Sequence, residues 1–250
     1  MPASADLPSE RGASARLNRD TLQSPMTTAE MHEFLQPRSG RFEVLVEGQR
    51  VGTENWSSER TDRGGLKLAS RIEMSIPEPN TQTFEIDLDA DLTAIALRLR
   101  IDLQNESIRS RQWASADYWV AEIRRPGQDT EQVSLKITEA TEVDFGSPLF
   151  NSLTINRLAL EPGEGRDLEV VFVSLPEFVP SLERQAYERA DLAALPPPSG
   201  VDGARAVYLV GPREVEAALR PKIWVGEAGL VLYSVYPPAE GRGETAVRAF

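Results

Sequence analysis

The sequence predicts an all-β, mainly antiparallel protein, built as a strongly curved sheet or an open half-barrel with at most one short helix. Three observations carry this expectation. Apolar and charged residues alternate with period two over the best-patterned stretches, as strands with one buried face require. Turn residues recur at a spacing of roughly 8–15 residues, the rhythm of short antiparallel strands. No helix-dense region and no fixed-period repeat interrupts that rhythm.

The elements follow in order. Residues 1–30 are rich in Ser, Ala, Pro and charge and lack apolar periodicity, so they read as a disordered segment, with Met26 and Met31 as alternative starts. Residues 31–240 read as the β domain. Phe42, Val44 and Val46 open it, and Gly48-Gln49-Arg50 turns the chain into Val51-Gly52-Thr53 and on to Trp56, a hairpin signature. A second turn at Asp62–Gly65 leads into a strand from Leu66 to Ile76, stopped by Pro77 and Pro79.

The clearest alternation comes next. Phe84, Ile86 and Leu88 alternate with Glu85, Asp87 and Asp89. Ile95, Leu97, Leu99, Ile101 and Leu103 then alternate with Ala96, Arg98, Arg100 and Asp102. Strands are expected at Tyr118–Arg124, Val133–Val143, Leu153–Leu160 and Leu168–Leu175, with Asp144–Pro148 as a connector. Residues 182–195 fit either a helix or an edge strand, and their Ala content leans towards helix. Ala206–Val210 and a hairpin from Lys222 to Tyr236 complete the pattern, and 241–250 reads as a flexible tail. Each half opens a strand pair near a Trp (Trp56, Trp224), so two similar sheet units divided near 144–148 are one arrangement and a single sheet is the other.

Composition removes many functions. With no Cys, disulfide scaffolds, Cys-ligated metals and thiol nucleophiles are excluded. The lone His32 excludes a His-rich metal cage and makes a Ser–His triad improbable. No nucleophile elbow, phosphate loop or zinc-protease motif is present. No cofactor and no metal is therefore expected. The Asp87-Asp89-Asp91 ladder spaces three acids about 7 Å apart along a strand face and reads as a solvated face. The formal charge of −12 opposes nucleic-acid binding, and no apolar run spans a bilayer. Without a signal-like segment, the expectation is a cytoplasmic protein.

The residues that suggest binding are aromatic and basic. Residues 98–125 hold six Arg against four acids, with Trp113, Tyr118 and Trp119 among them. Trp and Tyr join an apolar body to a polar tip, which suits a cavity mouth or an interface. Phe42, Val44, Phe84, Ile86, Leu97, Leu99, Trp119 and Trp224 are expected to line a sheet-bounded cavity. Arg98, Arg100 and Trp113 would stand near its rim, where an Arg could receive an anionic head group.

Gly40-x-Phe42-x-Val44, Gly48-x-x-Val51-Gly52-x-Glu54-x-Trp56 and Ile223-Trp224-Val225-x-x-x-Gly229-Leu230-Val231-Leu232 resemble bacterial putative glycolipid-binding domains. They also resemble the half-barrel lipid carriers related to lipoprotein-localisation factors. The resemblance implies a curved antiparallel sheet holding a hydrophobic ligand, and it supplies no catalytic residues. The expected function is thus non-enzymatic binding of a hydrophobic or amphiphilic small molecule, lipid- or glycolipid-like. A protein-interaction module with a filled core is the alternative, and a carboxylate-dependent hydrolase a third.

Overall fold

The computed structural model describes Gln36 and residues 38–138, 140–238 and 243–250. The expectations for 1–30, including His32, lie outside the described residues. One mixed sheet of fifteen strands dominates the fold. The first run is β1 (Arg38–Val46), β2 (Gln49–Arg60), β3 (Leu66–Met74), β4 (Asn80–Leu88) and β5 (Ala94–Asp102). It continues through β6 (Ser107–Ser115), β7 (Tyr118–Arg124) and β8 (Glu131–Lys136). These eight strands form an antiparallel meander.

A short β9 (Glu142–Asp144) leads through helix α1 (Pro148–Leu158) to β10 (Gly165–Val173), which pairs with β9 in parallel. The second meander is β10, β11 (Pro180–Ala190), β12 (Ala206–Val210), β13 (Lys222–Val225), β14 (Val231–Tyr236) and β15 (Thr245–Ala249). β15 pairs with β1, so the first and last strands join the two meanders in the middle of the sheet.

Topology alone forces curvature. The outer strands of the sheet are β8 and β9, which are consecutive in the chain. A flat sheet of fifteen strands would be roughly 65 Å across, whereas the connector 137–141 reaches at most about 20 Å. The sheet therefore curls until its two edge strands stand within the reach of that connector. β8 packs beside β11, yet no ladder of hydrogen bonds joins β8 to β9, so the barrel stays unclosed at this seam.

Helix α1 fills the enclosed space. Ser147 is its N-cap, with Oγ accepting the Leu149 amide at 3.3 Å, and Pro148 occupies the first turn, where a missing N–H costs nothing. Every residue of α1 except Arg157 is buried. Its first half packs into a core with the β2–β7 side chains, and Ile155 and Leu158 join a second core against β10–β14. A helix buried on all sides has no polar face. Leu153–Leu160 consequently carries no helical stripe, which corrects the strand expected there.

Three further expectations change. The 182–195 segment is strand from Pro180 to Ala190, because pairing on both edges and burial of Ala186 and Tyr187 outweigh Ala propensity. Val133–Val143 is not one strand but β8 and β9, at opposite ends of the sheet. Residues 245–249 are not a tail but β15. Among the described residues no helix is long and apolar enough to cross a membrane, which says nothing of a crossing by strands.

The register assigns each side chain to a face. Trp56, Ser70, Phe84, Leu99, Ser110 and Ile123 form one inward row across β2–β7. Opposite Trp56 stands Gly40, where a Cβ would come within 2.7 Å of the indole ring. The Gly40…Trp56 pairing in the motif is therefore steric: the ring lies across bare backbone. In the turn between β1 and β2, Glu47 and Gly48 both take positive φ, as a tight hairpin requires.

Candidate functional site

Phe42, Phe84, Ile86, Leu97, Leu99 and Trp119 do come together, all on the inner face and each at most 3% exposed. They do not line one shared cavity: α1 and the chain beside it pack against most of them, and of the six only Trp119 reaches the cavity at the seam. The Phe84 ring lies 5.4 Å from Phe150 and 5.6 Å from Phe145, and Phe145 lies 6.2 Å from Phe178. Val44 is half-buried on β1, opposite Val247. Trp224 stands apart: its neighbour Ile223 points inward, and its own Nε1 donates to the Leu195 carbonyl at 3.1 Å on the outer face. Arg98, Arg100 and Trp113 also point outward, from β5 and β6.

Polar chemistry is enclosed at the N-terminal end of α1, where sequence reading assigned no role. Glu54, 2% exposed, accepts hydrogen bonds at Oε1 from Ser70 Oγ and Ser147 Oγ, both at 2.7 Å. Burial pushes its carboxyl up to about 7, against the pull of the two hydroxyls. Burial likewise raises Asp144 to about 6, although the Gly146 and Phe145 amides favour its charged form. Tyr187 Oη donates to Asn151 Oδ1 at 3.0 Å, and Asn151 Nδ2 donates to Tyr236 Oη at 3.4 Å. Burial raises Tyr236 to about 12, with the Asp144 charge adding to the effect. The cluster ties α1 to β2, β3, β11 and β14. The sequence signal that could have revealed it is Glu54, a charge at an inward position of an alternating strand.

The unclosed seam leaves space. A cavity of about 280 Å³ lies between the ends of β5–β7 and the β8–β9 connector. Trp119, Ala94, Ala114, Ile137, Val143 and Val171 supply its apolar lining, and Thr93, Thr138, Thr141 and Asp117 its polar groups. Gln112 buttresses it: wholly buried, it accepts from Trp119 Nε1 at 2.8 Å and donates to the Phe178 carbonyl at 3.1 Å. Apart from Trp119, none of the lining was predicted, because the seam joins residues far apart in the chain.

The outer face holds a more open groove of about 460 Å³ over β2–β5, bordered by Asn55, Arg71, Thr83, Glu85, Arg98 and Arg100. Arg98 Nη1 bridges Glu85 and Asp87, each at 3.3 Å, and Arg100 pairs with Asp102 at 2.8 Å. The predicted acidic ladder is dispersed. Asp87 serves Arg98, β4 ends at Leu88, and Asp89 Oδ1 accepts the amides of Asp91 and Thr93 within the turn.

Among solved structures, a DUF1089 family protein from Pseudomonas aeruginosa is 18% identical, covering 72% of this chain and 87% of that one, with a TM-score of 0.48. The β-barrel-like protein of domain of unknown function DUF1849 from Brucella abortus is 11% identical, covering 86% of this chain and 96% of that one, with a TM-score of 0.52. The second likeness agrees with the curled sheet. No curated protein sequence matches the chain. Residues 47–198, more than half of the chain, match one family model, and the chain accordingly belongs to the family described as "Putative glycolipid-binding".

Proposed function

We propose that this protein binds a hydrophobic or amphiphilic molecule of the glycolipid class without transforming it, and that the ligand enters the seam cavity over Trp119. The observation that carries the reading is the chemistry of that cavity. It lies where the sheet lacks backbone closure, and it joins an apolar floor to three threonines and one carboxylate. Its volume of about 280 Å³ falls just short of the range of small-molecule sites, about 300 Å³ and above, so it would enclose only part of an amphiphile. Apolar contacts would take the chain of an amphiphile, while the Thr hydroxyls and Asp117 would hydrogen-bond a sugar. Family membership supports the ligand class. The inner-face residues expected to line the site then act through Trp119, whose indole they and Gln112 hold in place.

The test is a titration of octyl glucoside, below its micellar concentration, followed by tryptophan emission, with native mass spectrometry of the gently purified protein. Saturable binding to the wild type, lost in Ala114→Phe, is the expected result. Ala114 is an exposed rim residue, so its substitution blocks the mouth without entering the core. Absence of saturable binding, together with no co-purifying amphiphile, overturns the reading. That outcome would favour the alternative of an interaction module, which the phenylalanine-filled interior also fits.

A further inference from the structure

We infer that the outer face of β5–β8 is a docking surface for an anionic lipid bilayer. The inference does not depend on whether the seam cavity holds a ligand. The register places Arg100, Arg109 and Arg124 directly opposite one another across β5, β6 and β7, and Arg98 directly opposite Arg111. Like charges at directly facing positions destabilise a sheet, so folding alone gives no reason for this arrangement. With Lys136 of β8, opposite Tyr118, the face carries six basic side chains. Asp102 and Glu122 are the acids set among them. A face that is positive on a chain of charge −12 leaves the remainder still more negative. Near an anionic plane the molecule is thus turned with this face inward and the rest repelled.

Several of these cations are available. Arg98 and Arg100 are engaged by neighbouring carboxylates, whereas Arg109, Arg111, Arg124 and Lys136 make no ion pair among the described residues. The Arg111 guanidinium lies over the Trp113 ring, 5.5 Å from its centre. Trp113 faces Ala96 and Val120, and Tyr118, 48% exposed, stands at the end of β7. Aromatic side chains with one polar end beside arginines are what the boundary between head groups and acyl chains accommodates. The Arg111 guanidinium already covers a face of the Trp113 ring, the surface on which a nucleic-acid base would stack, and this favours a membrane over a nucleic acid. The turn after Trp113 also carries Ala116 and Asp117 of the cavity mouth, which docking would bring to the lipid surface.

The experiment is sedimentation of the full chain with vesicles of phosphatidylglycerol and phosphatidylcholine, beside vesicles of phosphatidylcholine alone. Binding is expected only to the anionic vesicles and should weaken as salt is raised. The triple variant Arg109→Gln/Arg111→Gln/Arg124→Gln should bind on the order of a hundredfold more weakly, from the contribution of each basic residue near an anionic surface. Arg166→Gln, an exposed change in the second meander, should bind like the wild type. All three positions of the triple variant are exposed, so an unchanged denaturation midpoint serves as the folding control. No binding to anionic vesicles, equal binding to neutral ones, or undiminished binding by the triple variant each overturns the proposal. So does a preference for single- or double-stranded DNA over the vesicles at the same salt concentration.

Discussion

Replacing Glu54 by Gln should make the protein more stable in alkaline solution and leave it nearly unchanged in acid. In the folded protein the Glu54 carboxyl titrates at about 7, against an ordinary value of 4.5. Because the folded value is the higher one, the folded state holds the proton that the unfolded chain releases. Stability therefore falls as pH rises from 4.5 and levels off above 7. At about 1.4 kcal/mol per pH unit, the interval amounts to about 3 kcal/mol. Glutamine is neutral throughout. It also keeps Oε1, the atom to which both Ser70 and Ser147 donate. Urea denaturation of both proteins at pH 5, 6, 7 and 8 measures the difference directly. Asp144, whose shift has the same sign, is present in both and cancels. The variant should gain on the wild type by about 3 kcal/mol between pH 5 and pH 8. A difference that stays constant across that range would refute the assignment of a desolvated carboxyl to Glu54, because any cost of an unpaired amide is independent of pH.

Two further perturbations address the interior and the seam. Phe150→Ala removes a ring packed against Phe84 and Phe145 at the centre of the curled sheet. It should cost about 3–5 kcal/mol in denaturant titration, and a loss below about 1 kcal/mol would show that α1 does not fill the interior. Gln112→Leu leaves the Trp119 N–H and the Phe178 carbonyl without their buried partner. It should cost about 3 kcal/mol and speed amide hydrogen exchange at Phe178; an unaltered exchange rate there would contradict the role of Gln112 in pinning the seam.

The legible parts of the molecule share one property: their pattern depends on neighbours two residues away. On β4 and β5, Phe84, Ile86, Leu97 and Leu99 face the core and Arg98 and Arg100 face outward, as alternation demands. Helix α1 was opaque for the opposite reason, since a segment buried all round shows no contrast between faces. Its one local signal is Ser147-Pro148, an N-cap followed by a first-turn proline, a pair that a connector between strands would equally accommodate. The candidate site was legible in part. Trp119 was singled out, but Ala94, Thr141 and Val171 are ordinary residues until the seam brings them together.

By itself, the sequence determined the strand-forming pattern, the division of most side chains between two faces, and the family likeness, although the family match covers residues 47–198 and so takes in only the second arm of the Gly40–Trp56 hairpin. Those features rest on side-chain period and local backbone geometry, which act over a few residues. Only the tertiary structure decided that β15 enters beside β1, that β8 and β9 end the sheet without pairing with each other, and that a buried helix packs into the interior. It also decided that Trp224 lies on the opposite face from Phe42 and that five arginines stand on adjacent strands. Each depends on pairing between distant segments, selected by the burial of the whole sheet, and no short stretch of sequence contains it.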